Sequence, residues 1–189
     1  MNIKHLVYDY LVTNGMAESS AIYLNMFALL AILFSIAFLI DFTIKKIIVE
    51  FITRFAITTK NNFDNLLVEN QVPRNIAHIF PLFAALEFIP LVFVDFEYFE
   101  NIVKKGLNAF AILLILWIVR SFLNTLKNYF KTVPRLKDKP IDSYIQVIMI
   151  FSWVLGLLSA FAIISGIEFI KFITTIGAAS AVIILVFKD

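Results

Sequence analysis

The sequence of 189 residues contains no cysteine, only five glycines and five prolines, and 16% charged residues. Without cysteine there is no disulfide, no thiolate metal site and no cysteine nucleophile. The scarcity of glycine and proline excludes collagen-like repeats and long flexible linkers. Soluble domains carry about 25% charged residues, so the low charge content argues against a fold in water.

Apolar and aromatic residues, in contrast, make up 61% of the chain, and the mean hydropathy is +0.90. Such a chain would expose a large hydrocarbon surface if it folded in water. The formal net charge is +2, and no basic tract is dense enough to follow a phosphate backbone, which excludes nucleic acid as a partner. The composition therefore predicts a membrane protein with lipid as its surroundings.

Five apolar runs are long enough to be membrane spans of about 20 residues. The first is free of charge and is followed by a helical pattern that continues to about Thr58. The second contains two prolines and is expected to be kinked and packed on protein. Before the first span, helical spacing of apolar residues predicts a short amphipathic helix at the membrane interface within segment 1–20. The expected spans are 21–40, 75–94, 107–123, 143–164 and 169–187.

The distribution of lysine and arginine predicts the orientation of these spans. Segments 41–75 and 124–143 together with Lys188 carry eleven of these cations, whereas the opposite side carries four. We therefore expect the N-terminus outside, the C-terminus in the cytoplasm, and both longer polar loops, 41–75 and 124–143, on the cytoplasmic side.

Ionisable residues within the spans are few, and such residues mark the sites of membrane enzymes and transporters. His78 and Glu87 lie in the second span without an evident partner, and Glu87 is expected to contact a neighbouring helix or backbone freed near Pro90. Arg120 is expected to reach the cytoplasmic headgroups. No phosphate loop, nucleophile elbow or histidine pair is present. The sequence thus predicts neither an enzyme nor a cofactor.

The last span carries an unusual run of small residues, which allow helix backbones to approach closely. At helical spacing one stripe of this span holds Thr174, Gly177, Ala181, Ile184 and Lys188, and its edges hold Ser180 and Leu185. Two interpretations follow: a tight contact inside one five-helix bundle, or a helix that packs against copies of itself around a pore. The predicted helix-packing residues are Gly177, Ala178, Ala179 and Ser180.

Segments 159–167 (SAFAIISGI) and 173–189 (ITTIGAASAVIILVFKD) resemble the last two membrane helices of the MscS-like small-conductance mechanosensitive channels. The likeness is greatest to the five-helix branch of that family, and segments 63–67 (FDNLL) and 139–144 (KPIDSY) also resemble loops of that branch. Segment 139–189 is the specific part of the resemblance.

The resemblance implies an all-α membrane domain in which 21–164 holds four lipid-facing, tension-sensing helices and 165–189 holds the pore-lining helix. It places the two constriction positions of the family at Ala181 and Leu185, of which the first is small here, and it places a Lys-Asp pair, beginning at Lys188, after them. Helical phase alone favours Ile184 as the competing constriction residue. Family members continue into a cytoplasmic β-rich domain and a C-terminal domain, so the chain is expected to be a fragment.

We therefore expect a mechanosensitive channel of the bacterial inner membrane that opens a weakly selective pore under tension during osmotic downshock. Its partners would be membrane lipids, permeating ions and small solutes, and further copies of itself, because one small-faced helix cannot enclose a wide pore. The resemblance implies a heptamer. Two other interpretations remain open: a secondary transporter, and a non-conducting scaffold or accessory subunit.

Overall fold

The computed structural model describes residues 5–58, 62–136 and 139–187, and every regular element in these ranges is helical. The helices are α1 (Leu6–Thr13), α2 (Glu18–Thr58), α3 (Asn62–Glu69), α4 (Val72–Ala77), α5 (Ile79–Val92), α6 (Glu97–Thr132), α7 (Ile141–Ser165) and α8 (Phe169–Val186). The two short helices α3 and α4 follow the long helix α2, and a 3₁₀ turn at Pro134–Leu136 follows α6.

Five segments within these ranges are long and apolar enough to cross a membrane, which confirms the predicted number of spans. They are α2, the α4–α5 pair, α6, α7 and α8. At about 1.5 Å per residue, α8 is close to the hydrocarbon thickness of about 30 Å. α2 has 41 residues, and its length is about twice the hydrocarbon thickness. This helix is therefore much longer than one crossing of a membrane requires.

The structure differs from the expected boundaries in three places. α6 runs from Glu97 to Thr132, so it begins well before the expected span 107–123 and takes up almost half of the loop expected at 124–143. The short helix α3 begins at Asn62, inside the polar loop expected at 41–75, and Asp64 lies in its first turn. The second span is broken into two helices at His78, three residues before Pro81. Proline removes a backbone donor and clashes with the preceding turn, which accounts for the irregularity.

The apolar core joins α2, α5 and α6. Leu33 of α2 packs with Ile89 and Val92 of α5 and with the adjoining Phe93, and Leu107 of α6 lies against them. All four core residues are buried. Burying an aliphatic or aromatic side chain stabilises a fold by about 1.5–3 kcal/mol in water, but between helices in lipid the close packing itself supplies the attraction.

A polar seam holds α3 and α4 against α6 at the other end of this bundle. The Asn75 amide donates to the Ser121 hydroxyl at 2.6 Å. The fully buried Thr125 hydroxyl donates to the Ser121 carbonyl at 3.0 Å, and the Leu66 carbonyl lies 3.4 Å away. Because buried polar groups are stable only when they are hydrogen-bonded, these bonds fix the short helices in one position.

α7 pairs with α6 along its length. Gly156 is buried, and a Cβ atom at this position would lie 2.5 Å from the Leu116 Cδ1 atom. At the start of α7, the Asp142 carboxylate contacts the Lys131 Nζ at 2.8 Å and the Lys127 Nζ at 3.1 Å. Contacts at the start and in the middle of α7 therefore hold it on α6.

The N-terminal helix α1 is docked on α2. The Tyr8 backbone N–H donates to the side-chain oxygen of the buried Asn25 at 3.2 Å. The His5 Nδ1 lies 3.9 Å from the carboxylate of Asp95, which precedes α6. These contacts place α1 beside the end of the bundle at which α2 begins and α5 ends.

Candidate functional site in the last helix

The turn before α8 has a local explanation in the sequence. Gly166 caps α7 with φ +72°, a left-handed conformation that glycine adopts without steric penalty. The Gly166 N–H donates to the Ile163 carbonyl at 3.1 Å and the Ile167 N–H to the Ala162 carbonyl at 3.0 Å. These are the bonds of a glycine-terminated helix, and they form the tight turn between the fourth and fifth predicted spans.

Only the first part of α8 touches α7. The rings of Phe161 and Phe172 lie with their centroids 5.4 Å apart on either side of the turn. From Thr174 to Phe187 every residue of the last helix and its end is exposed. Within the described part of the chain, α8 is the one membrane-length helix with no buried residue in its apolar window.

The predicted packing residues lie in this exposed part of α8. Gly177, Ala178, Ala179 and Ser180 are all exposed, and a Cβ atom built on Gly177 would have no described atom of another element within 4 Å. The Thr174 hydroxyl donates to the Ile170 carbonyl of the same helix at 2.8 Å. The helix therefore presents small side chains and satisfied hydroxyls to its surroundings, and their packing stays a prediction about a second chain.

The predicted constriction residues follow on the same helix. Leu185 is 75% exposed and Ile184 is 68% exposed, and Ala181 one turn earlier is also exposed. Helical geometry aligns these three along the end of α8, but within one chain they meet no partner surface. Lys188, the fourth predicted pore residue, lies outside the described residues.

Sequence reasoning missed a carboxylate–imidazole contact between two spans. Asp41 lies at the end of the charge-free run of α2, and its Oδ1 is 2.7 Å from the Nδ1 of His78, at the break between α4 and α5. Its other oxygen lies 2.8 Å from the Nζ of Lys45, one turn along α2. The contact joins residues far apart in sequence, so no local spacing predicts it.

A cleft of about 450 Å³ opens beside this contact, between α2, α5 and α6. Asp41 and His78 form its polar end, and its walls include the apolar side chains of Phe38, Leu82 and Trp117. Within the described ranges no three histidine, aspartate or glutamate side chains are grouped closely enough to hold a metal ion.

Glu87 is placed differently from expectation. Its side chain is exposed on the surface of α5, and no hydrogen bond or ion pair joins it to another described residue. Carboxylates in membrane spans are normally directed at protein or water. Within the described residues, Glu87 therefore makes no polar contact with a neighbouring helix or with backbone near Pro90.

The comparisons with known proteins identify no relative: no family model, no curated protein and no solved structure matches this chain.

Proposed function

We propose that this chain is the membrane domain of an MscS-like mechanosensitive channel, in which copies of α8 surround a common pore. The observation that carries the proposal is that α8 is fully helical and rich in small residues, yet from Thr174 onward every described residue is exposed. Small residues are the means by which membrane helices approach one another closely. A ring of identical helices supplies the surface that a single chain does not contain.

Tension gives such a ring its opening force. The channel exchanges between a narrow and a wide state, and lateral tension favours the wide state because it occupies more membrane area. The lipid-facing helices α2, α5, α6 and α7 carry that tension. They transmit it to α8 through the turn at Gly166 and the Phe161–Phe172 contact, the places where α8 meets the rest of the chain.

The exposed apolar residues at the end of α8 supply the gate. A ring of Leu185 or Ile184 side chains makes a constriction from which water withdraws, and ions do not cross a dry pore. Small residues over 177–181 permit the close helix approach that brings this ring together. In the wide state the ring becomes wet, and ions and small solutes pass.

The experiment that tests this function is patch recording of the purified protein in liposomes under suction, combined with imaging of the particle. We expect tension-dependent currents and a cyclic particle, with seven subunits as the family resemblance implies. A ring that carries no current at lytic tension would contradict the channel and favour the scaffold interpretation. A particle of one or two subunits would exclude the α8 ring.

We further propose that the start of α6 faces the outside of a bacterial inner membrane and the end of α6 faces the cytoplasm, as the cation distribution favours. Because the sequence has no cysteine, single cysteines report position without background. A membrane-impermeant maleimide should label Tyr98→Cys in intact cells and Arg135→Cys only after permeabilisation. Both residues are exposed in the structure. Labelling in the reverse order would contradict the orientation.

A further inference from the structure

A groove with several cations runs between α2 and α4 beyond the charge-free run of α2. Its volume is about 570 Å³. The apolar side chains Phe42 and Val49 form part of its wall, together with Thr53 and the carboxylate of Glu50. We call this the basic groove, and its cations are Lys45, Lys46, Arg54 and Arg74.

Two of the four cations are already neutralised. Lys45 lies 2.8 Å from the carboxylate of Asp41, and Arg54 lies 2.6 Å from the carboxylate of Glu50. Lys46 and Arg74 form no ion pair with any residue in 5–58, 62–136 or 139–187. The groove therefore holds two positive charges for which the described protein supplies no counter-charge.

The fold holds Arg74 over α2. α4 packs against the bundle through three buried residues, Val72, Pro73 and Ala77, whereas Arg74 on the same helix is exposed. The preceding Gln71 takes a left-handed conformation with φ +59° that turns the chain from α3 into α4. Arg74 therefore stands on a helix that is packed against the bundle, and Lys46 of α2 lines the same groove.

The position of the groove indicates the kind of anion that fits it. The uncharged run 21–40 of α2 spans the hydrocarbon layer, so residues beyond it lie at the level of the lipid phosphates. Phe38 and Phe42, both strongly exposed, form an apolar path from that layer to the groove. A lipid whose headgroup lies in the groove can therefore pack its acyl chains along α2.

We propose that the basic groove binds the phosphate-bearing headgroup of an anionic membrane lipid, with Lys46 and Arg74 contacting the phosphate. Basic pockets between membrane helices are suited to such headgroups, and the arginine fork matches phosphate oxygens. The inference rests on the proposed insertion of α2 in a membrane but not on channel activity. It differs from simple snorkelling of separate lysines, because cations from two helices line one groove.

The test uses the full chain purified in neutral detergent and water-soluble short-chain lipids. Binding of dioctanoyl phosphatidylglycerol is measured by native mass spectrometry, alongside dioctanoyl phosphatidylcholine and inorganic phosphate at the same concentration. We expect the phosphatidylglycerol to bind and the other two to bind at least about tenfold more weakly. Lys46→Gln and Arg74→Gln should each weaken that binding about five- to tenfold, as for one cation near an anionic surface.

Arg135→Gln is the matched control, because Arg135 is an exposed cation that does not line the groove. It should leave phosphatidylglycerol binding unchanged. An equal loss in all three variants would show general charge attraction and overturn the site. Equally tight binding of inorganic phosphate would assign the groove to a free anion and overturn the lipid. Neither result depends on whether the protein conducts ions, so failure here is distinguishable from failure of the channel.

Discussion

Replacing Leu185 with asparagine is expected to make the channel leak at rest. Leu185 is the last large aliphatic residue at the edge of the small-residue stripe before Lys188, and a ring of its side chains would exclude water from the pore. An amide in each subunit wets that ring and removes the barrier to ions. A change of only about 1.4 kcal/mol in the free-energy difference between closed and open states raises the resting open probability tenfold, so we expect a rise of at least about tenfold. We also expect a lower tension threshold and slower growth of the expressing cells.

Ile184→Asn is the matched comparison for this experiment. Both side chains are strongly exposed in the single chain, so neither substitution removes packing inside the subunit. Single-channel recording of the full-length protein under suction should show spontaneous opening for Leu185→Asn, whereas Ile184→Asn should act more through misassembly. Opening in Ile184→Asn alone would move the gate to Ile184. Normal closure in both would remove α8 from the gate.

The spans could be predicted from the sequence because lipid imposes a simple rule on the chain. Every stretch that crosses the membrane must form its backbone hydrogen bonds internally and avoid charge over about 20 residues. The ends of the apolar runs therefore predict where the spans end. The expected 169–187 agrees with α8 within a residue. The rule says nothing of how far a helix continues in water, and α6 continues to Thr132 because nothing breaks it before Val133.

The contact between Asp41 and His78 shows what such a rule leaves out. In the sequence, Asp41 is a charge at the end of a span and His78 is an isolated imidazole. Only the packing of α4 on α2 brings the Asp41 Oδ1 and the His78 Nδ1 to 2.7 Å. The same packing brings Arg74 of α4 and Lys46 of α2 into the lining of the basic groove. Tertiary neighbours of this kind depend on which helix faces turn towards each other, and the charge-free run 21–40 of α2, apolar on nearly all sides, does not specify that.

Gly177→Leu is expected to abolish assembly of the ring while leaving the single chain folded. A side chain at this position meets no described atom of another element within 4 Å, so the subunit has room for it. Replacing glycine inside a helix also removes about 1 kcal/mol of unfavourable helix propensity. If small residues form the contact between neighbouring copies of α8, the added side chain holds the backbones apart, and the ring dissociates at concentrations where the unmodified protein is fully assembled.

Gly156→Leu is the control that separates assembly from folding, since both changes add the same side chain to a glycine of a membrane helix. Here the Cβ atom would lie 2.5 Å from the buried Leu116, and overpacking of this kind destabilises a fold by about 1–3 kcal/mol. Light scattering after size exclusion should show monomers for Gly177→Leu with an undiminished melting temperature, and a lowered melting temperature for Gly156→Leu. An intact ring of Gly177→Leu would mean that copies of α8 meet through another face, and Ala181 and Leu185 would then lose their assignment to the pore along with it.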